Sequence, residues 1–273
     1  ISMGGTFMRL HDQGHDVHVA YQTSGNIAVT DEFVTRFIDF AVGFESMFDI
    51  DETKSKNILD EATAFLKVKK TSEKDTDTIR AIKGLIRRCE AKATCKYVGL
   101  TDEQIHFMNL PFYETGTNPM GEADVQKTID LLNEIKPQQI YCAGDFADPH
   151  GTHKVCFDVV IEALKRIRTT NNQQQTTNNW INDCWLWLYK GAWQEWDITE
   201  IEMAIPMSPD QVVKKRHGIF IHQSQKDSVP FQGSDDREFW QRAEERNAST
   251  AKLYAQLGLT QYAAMEAFVR WKF

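Results

Sequence analysis

The stretch Gln139-Ile-Tyr-Cys-Ala-Gly-Asp-Phe-Ala-Asp-Pro-His-Gly-Thr-His153 decides the fold class. Its first five residues form an apolar run of strand length, and the glycine, aspartates and proline that follow break it. Apolar residues then recur at helical spacing over about 152–168. Strand, loop and helix in that order make a βα unit. The segment 144–151 is therefore a loop at the carboxyl end of a strand, the place where open α/β sheets bind ligands.

Upstream, 2–10 reads as a helix ending near Gly14, and 16–23 alternates like a strand. The chain thus begins with a helix, which in an alternating α/β protein crosses between two parallel strands. A strand preceding that helix is expected outside these residues, and the absence of an initiator Met at Ile1 points the same way. Further helices are predicted over 31–48, 57–68 and 78–96. A short strand is predicted near 104–107, and a helix over 122–135 that stops before Pro137. Downstream, 169–179 is polar and reads as a solvated connection, 184–189 as a strand and 209–222 as a helix. A terminal helix over 237–257 is expected to start from an Asp235/Glu238 capping box. No repeat or linker divides the chain. One domain over 1–273 is expected, with a helical extension over about 235–273.

Bulk properties exclude several classes of function. A net charge of −8 and a pI near 5.5 give no broad positive field, so neither nucleic acid nor an anionic membrane is an expected partner. No run of 18 uncharged apolar residues and no signal pattern occur, which leads to the expectation of a cytoplasmic protein. The five cysteines are odd in number and form no CxxC pair, so neither a disulfide framework nor a thiolate metal site is indicated.

The sharpest chemical signal is Asp148-Pro-His150-Gly-Thr-His153. Two histidines three apart, where a loop enters a helix, can face a common point. Neutral imidazoles suit zinc, and Asp148 is placed to orient one ring through its second nitrogen. The competing reading makes both histidines ordinary hydrogen-bonding loop residues. Arg87 reads either as a helix-face partner of Glu90 or Glu103 or as a ligand contact. His11, His15, His18 and His106 read as surface or half-buried residues, and His222 stays open. Trp185, Trp187, Tyr189, Trp193 and Trp196 could form a sugar-stacking platform, although alternating Trp in a strand more often packs in a core.

Met3-Gly-Gly-Thr6, Gly14-His15, Thr23-Ser-Gly25, Arg87-x-x-Glu90 and His150-x-x-His153 together resemble, in order and spacing, the PIG-L/LmbE-type N-acetylglucosaminyl deacetylases. Trp185 to Trp196, His222-Gln-Ser-Gln225 and Phe239-Trp-Gln-Arg-Ala-Glu244 resemble the subgroup fused behind a glucosamine-6-phosphate deaminase-like domain. The resemblance implies an α/β, Rossmann-like fold with a mostly parallel sheet flanked by helices, its first strand missing here.

It also implies a zinc hydrolase acting on the N-acetyl group of an amino sugar. Of three protein ligands to zinc only His153 is present; a His and an Asp of a His-Pro-Asp-Asp motif would lie upstream of Ile1. That motif's other Asp would be the general base. His150 would stabilise the oxyanion or protonate the leaving amine, and Arg87 would hold the substrate or its phosphate. Family members often carry a Glu after the Thr-x-Gly turn for a sugar hydroxyl, where this chain has Asn26. Such a set suits amide hydrolysis, which needs a polarised carbonyl, an activated water and a protonated leaving amine. The intact parent would be the enzyme and these 273 residues alone inactive. The expected partners are an amino-sugar small molecule and either a second copy or a fused deaminase domain. The alternative is a non-catalytic module that binds an amino-sugar phosphate or supports assembly of the deaminase half.

Overall fold

In the computed structural model, which describes residues 2–70, 73–114, 119–146, 151–173, 179–191, 194–226 and 237–273, the βα unit that decides the fold class is present. Strand β3 (Gln139–Ala143) precedes helix α7 (Thr152–Gln173). Ahead of it come α1 (Gly4–Asp12), β1 (Val19–Tyr21), α2 (Asp31–Met47), α3 (Thr53–Val68), α4 (Asp77–Val98), β2 (Ile105–Phe107), α5 (Pro111–Glu114) and α6 (Glu122–Ile135). After it come β4 (Trp185–Tyr189), β5 (Met203–Met207), α8 (Pro209–Ile221), α9 (Gln223–Lys226), α10 (Phe239–Gln256) and β6 (Ala264–Trp271).

Local chemistry explains the better-marked boundaries. Thr76 caps α4 by accepting from the Ile79 N–H, and Gly99, at φ 116°, ends the helix in the left-handed conformation. Ser208 and Gln211 form a capping box at the start of α8, with Pro209 in the first turn.

The strands lie in two sheets. β1 and β2 run parallel, with Val19 opposite Ile105 and Tyr21 opposite Phe107. The second sheet has the order β3-β4-β6-β5, with β3 and β4 parallel and β6 antiparallel to both β4 and β5. Phe157, Val160, Leu164 and Ile167 of α7 bury against Leu186 and Leu188 of β4, with Ile129 and Leu132 of α6 beside them. Among the described residues β1 and β3 are edge strands, and both border one cavity of about 1710 Å3. No helix among the described residues is long and apolar enough to cross a membrane.

The α/β class stands, with corrections at the C-terminal end. The tail over 235–273 is not a helical extension: α10 is followed by β6, which sits inside the second sheet and makes that sheet mixed rather than mostly parallel. β6 is buried from Ala264 through Phe268, so it lacks the alternation that marks a half-exposed strand. The cap of α10 is Glu238 with Gln241, whose side chain accepts from the Glu238 N–H at 2.9 Å; Asp235 lies outside the described residues. Helix α7 continues through 169–173, the first five residues of the stretch read as a connection.

Candidate functional site

The cavity draws its lining from several elements, and each brings a polar side chain the sequence had marked or a neighbour of one. From the β1 side comes the turn Ser24-Gly25-Asn26. Gly25 adopts φ 67°, and a Cβ there would stand 3.0 Å from Arg87 Nε, so both the backbone and the space call for glycine. Asn26 is buried and its Nδ2 lies 3.5 Å from Glu114 Oε2; the other Glu114 oxygen accepts from the Ser24 N–H at 3.1 Å. A carboxylate from α5 thus stands beside Asn26, where the family pattern puts one directly on the turn.

Arg87 projects from α4 into the same cavity. Its Nη1 is 3.6 Å from Glu90 Oε2, so the ion-pair reading holds, yet Nε and Nη1 have no hydrogen-bond partner among the described residues. Burial lowers the guanidinium pKa and Glu90 opposes that shift. Glu90 itself is held by the backbone N–H and the hydroxyl of Ser224, each at 2.7 Å.

His222, at the end of α8, is a site residue whose status the sequence left open. It is 6% exposed and borders the cavity. Thr94 Oγ1 donates to the Glu90 carbonyl at 3.0 Å, so His222 Nε2, also 3.0 Å away, must be the donor to that oxygen. Its Nδ1 is then an acceptor, buried and without a partner among the described residues. Burial, with the positive charges of the amino terminus and of Arg87 adding to it, lowers the imidazole pKa to about 3, so the ring is neutral near pH 7.

From the β3 side come Asp145 and His153. Asp145 is buried, and its Oδ2 accepts from the Gly191 N–H at 2.8 Å. His153, in the first turn of α7, is exposed and lines the cavity. His150 and Asp148 lie outside the described residues. The structure therefore brings Arg87, Asn26 and His153 to one cavity and adds Glu114, His222 and Asp145. Glu114, the last residue of α5, was not singled out by the sequence.

Trp187 and Trp196 follow the core reading: Trp187 is 8% exposed, and Trp196 donates from Nε1 to the Leu188 carbonyl at 3.2 Å. Trp185 does not, being 43% exposed with the Arg270 guanidinium 3.5 Å from its ring centroid. Trp193 lies outside the described residues. His18 and His106 bond to each other, Nδ1 to Nε2 at 2.9 Å, as satisfied half-buried residues do. All five cysteines are free thiols, and burial pushes Cys142 up to about 12. Among the described residues no group of three or more His, Cys, Asp or Glu side chains is placed to hold a metal ion.

Comparison with known proteins places these features in context. A family model described as PIG-L, GlcNAc-PI de-N-acetylase, matches residues 1–164. A curated relative from Bacteroides thetaiotaomicron, named a putative glucosamine-6-phosphate deaminase-like protein, is 51% identical over 278 residues. That match covers 99% of this chain and 41% of the relative, so the chain spans about two fifths of the relative's length. Among solved structures, the 4-carboxy-2-hydroxymuconate hydratase of Pseudomonas putida aligns with TM-score 0.60 at 13% identity, over 99% of this chain and 90% of that one, and so shares the fold. A deacetylase of the teicoplanin biosynthesis pathway, solved with teicoplanin, aligns with TM-score 0.46 at 11% identity over 99% and 94% of the two chains.

Proposed function

Since the chain belongs to the PIG-L, GlcNAc-PI de-N-acetylase, family, we propose that its parent protein hydrolyses the N-acetyl group of an N-acetylglucosamine-type amino sugar or conjugate, and that these residues form the substrate-holding part of that site. The observation that carries the reading is the convergence of Arg87, Asn26 with Glu114, and His153 on one cavity from three separate regions of the chain. An amino sugar offers hydroxyls to an Asn/Glu pair, and a phosphate on it offers paired oxygens to a guanidinium with unused donors. Holding the sugar at several points fixes its amide relative to the reacting group, and such positioning lowers the barrier.

Zinc does not fit the described residues by themselves. They supply one candidate ligand, His153, and no cluster of three, whereas a catalytic zinc takes three protein ligands. In this reading the remaining ligands come from a His-Pro-Asp-Asp segment upstream of Ile1, and the strand ahead of it lies between β1 and β3. The shared cavity along those two edge strands supports that placement. His150 serves as the group that stabilises the oxyanion or gives the amine its proton, and Asp148 orients a ring.

A second reading draws on the incomplete ligand set and on the name of the Bacteroides relative. In it the unit is a non-catalytic module that binds an amino-sugar phosphate beside a deaminase domain. Calorimetry with N-acetylglucosamine 6-phosphate and with N-acetylglucosamine, on the wild-type chain and on Arg87→Met, tests the substrate-holding role both readings share. The expected result is a preference for the phosphorylated sugar that Arg87→Met removes. Equal binding by both proteins would exclude Arg87 from the site, and acetate release by the parent separates the two readings.

A further inference from the structure

Residues 165–273 lie beyond the family match, yet three of their charged side chains meet at the first turn of α1. Glu266 of β6 is 1% exposed. Its Oε1 accepts from the Gly5 N–H at 2.9 Å, and its Oε2 from the Thr6 N–H and hydroxyl, both at 2.6 Å. A carboxylate suits this position, where a helix start leaves N–H groups unpaired and carries partial positive charge. Lys215 of α8 donates to Glu266 Oε1 and to Asn247 Oδ1, both at 2.7 Å, and reaches the Ser2 carbonyl at 3.5 Å. The turn is packed so closely that a Cβ on Gly5 would stand 2.2 Å from Met207 Sδ, and one on Gly4 3.1 Å from Lys215 Cγ. The glycine pair is the consequence of β5 and α8 pressing on the backbone.

Arg246 of α10 extends this contact to the segment that follows β4. Its side chain is 8% exposed and lies 3.4 Å from Glu195. Nη2 donates to the Ser2 carbonyl at 3.0 Å, while Nη1 donates to the carbonyls of Lys190 and Gly191. Gly191 in turn donates its N–H to Asp145, the residue just before the loop to His153. Ser2 to Gly4, Asp145, His153 and Gly191 all line the cavity. One buried guanidinium therefore holds carbonyls from two separate segments, a task for which the planar fork of Arg is suited and the single ammonium of Lys is not.

We propose that Arg246 is a positioning residue that sets the first turn of α1 in register with the segment leading to the His153 loop, through Ser2 on one side and Gly191–Asp145 on the other. The C-terminal third is then part of the site's frame. The functional meaning of this register rests on the reading that this cavity is the substrate site, but the linkage itself can be read without any ligand.

The test is residue-resolved amide hydrogen exchange on the whole chain, comparing wild type with Arg246→Met, Arg246→Lys and Glu266→Gln. Loss of the fork is expected to speed exchange at Gly191 and at Gly5 and Thr6 together, each by about fivefold or more, the size of one hydrogen bond. Arg246→Lys, which keeps the charge, is expected to do the same in a chain that stays folded. Glu266→Gln is expected to speed exchange at Gly5 and Thr6 and leave Gly191 unchanged. An Arg246→Lys chain whose Gly191 exchange stays within about twofold of wild type, well under one hydrogen bond, would overturn the proposal. So would a change at Gly191 of the same size in Glu266→Gln, which would mean general loosening. Sugar-phosphate affinity, measured separately, then reports on the substrate reading alone.

Discussion

Ser224 binds the Glu90 carboxylate twice, through its backbone N–H and its hydroxyl, each at 2.7 Å. This keeps Glu90 at 3.6 Å from Arg87 Nη1, an ion pair without a hydrogen bond, and leaves Arg87 with donors to spare. Hydrogen bonds to charged groups contribute more than neutral ones, so Ser224→Ala is expected to lower unfolding stability by about 1.5–3 kcal/mol. Urea denaturation measures it; a change below about 0.5 kcal/mol would mean the hydroxyl bond contributes nothing.

Arg87→Met is expected to separate stability from binding. Removing the guanidinium leaves the buried Glu90 carboxylate held by Ser224 but without its cation, so the melting temperature should fall modestly, the pair being 3.6 Å apart without a hydrogen bond. Affinity for a phosphorylated amino sugar should fall about tenfold or more, the worth of a charge-assisted contact. A large drop in melting temperature with unchanged affinity would make Arg87 a structural ion-pair residue.

His222 gives the stability curve a specific acid limb. Its folded pKa, about 3, lies below the ordinary value of 6.5, so the folded state resists protonation. Its contribution is complete above about pH 6.5 and is lost as pH falls from there towards 3, with a slope of up to about 1.4 kcal/mol per pH unit. Subtracting the His222→Gln curve from wild type between pH 7 and 4 isolates the effect from the carboxylates. Parallel curves would show that His222 titrates normally and is not buried beside Thr94.

Lys215 and Glu266 should behave as a buried pair. Lys215 and Thr6 hold the Glu266 carboxyl below its usual range despite burial. Lys215→Met alone leaves that carboxylate without its cation and is expected to cost about 3–5 kcal/mol. The double variant Lys215→Met/Glu266→Gln is expected to be less destabilised than Lys215→Met, because no buried charge is then orphaned. A strictly additive double-mutant cycle would contradict the coupling.

What could be read from the sequence was what depends on neighbours along the chain. Gln139 to His153 announced strand, loop and helix through local pattern, whereas Gly25 and Arg87 were marked only through the resemblance to the family's motifs. β6 escaped because it is buried on both faces and carries Glu266, whose cation Lys215 is distant in sequence and whose other partners are the amides of α1. Glu114 escaped for a similar reason: its role comes from the distant Ser24 and Asn26. The tautomer of His222 depends on Thr94 and on what that hydroxyl already donates to, which no pattern encodes.

In the proposed function these residues hold the substrate while upstream residues complete the metal site. Zinc titration by calorimetry and acetate release from N-acetylglucosamine derivatives, run on this 273-residue chain and on the chain extended by its natural upstream segment, test it most directly. Weak zinc binding and no acetate release are expected for the short chain, with both restored by the extension, because one imidazole cannot replace three ligands and a general base. Tight stoichiometric zinc in the short chain, or acetate release by it, would contradict the account and move the ligands or the base to residues assigned other roles here, with Asp145, Asp148 and His222 the first to replace.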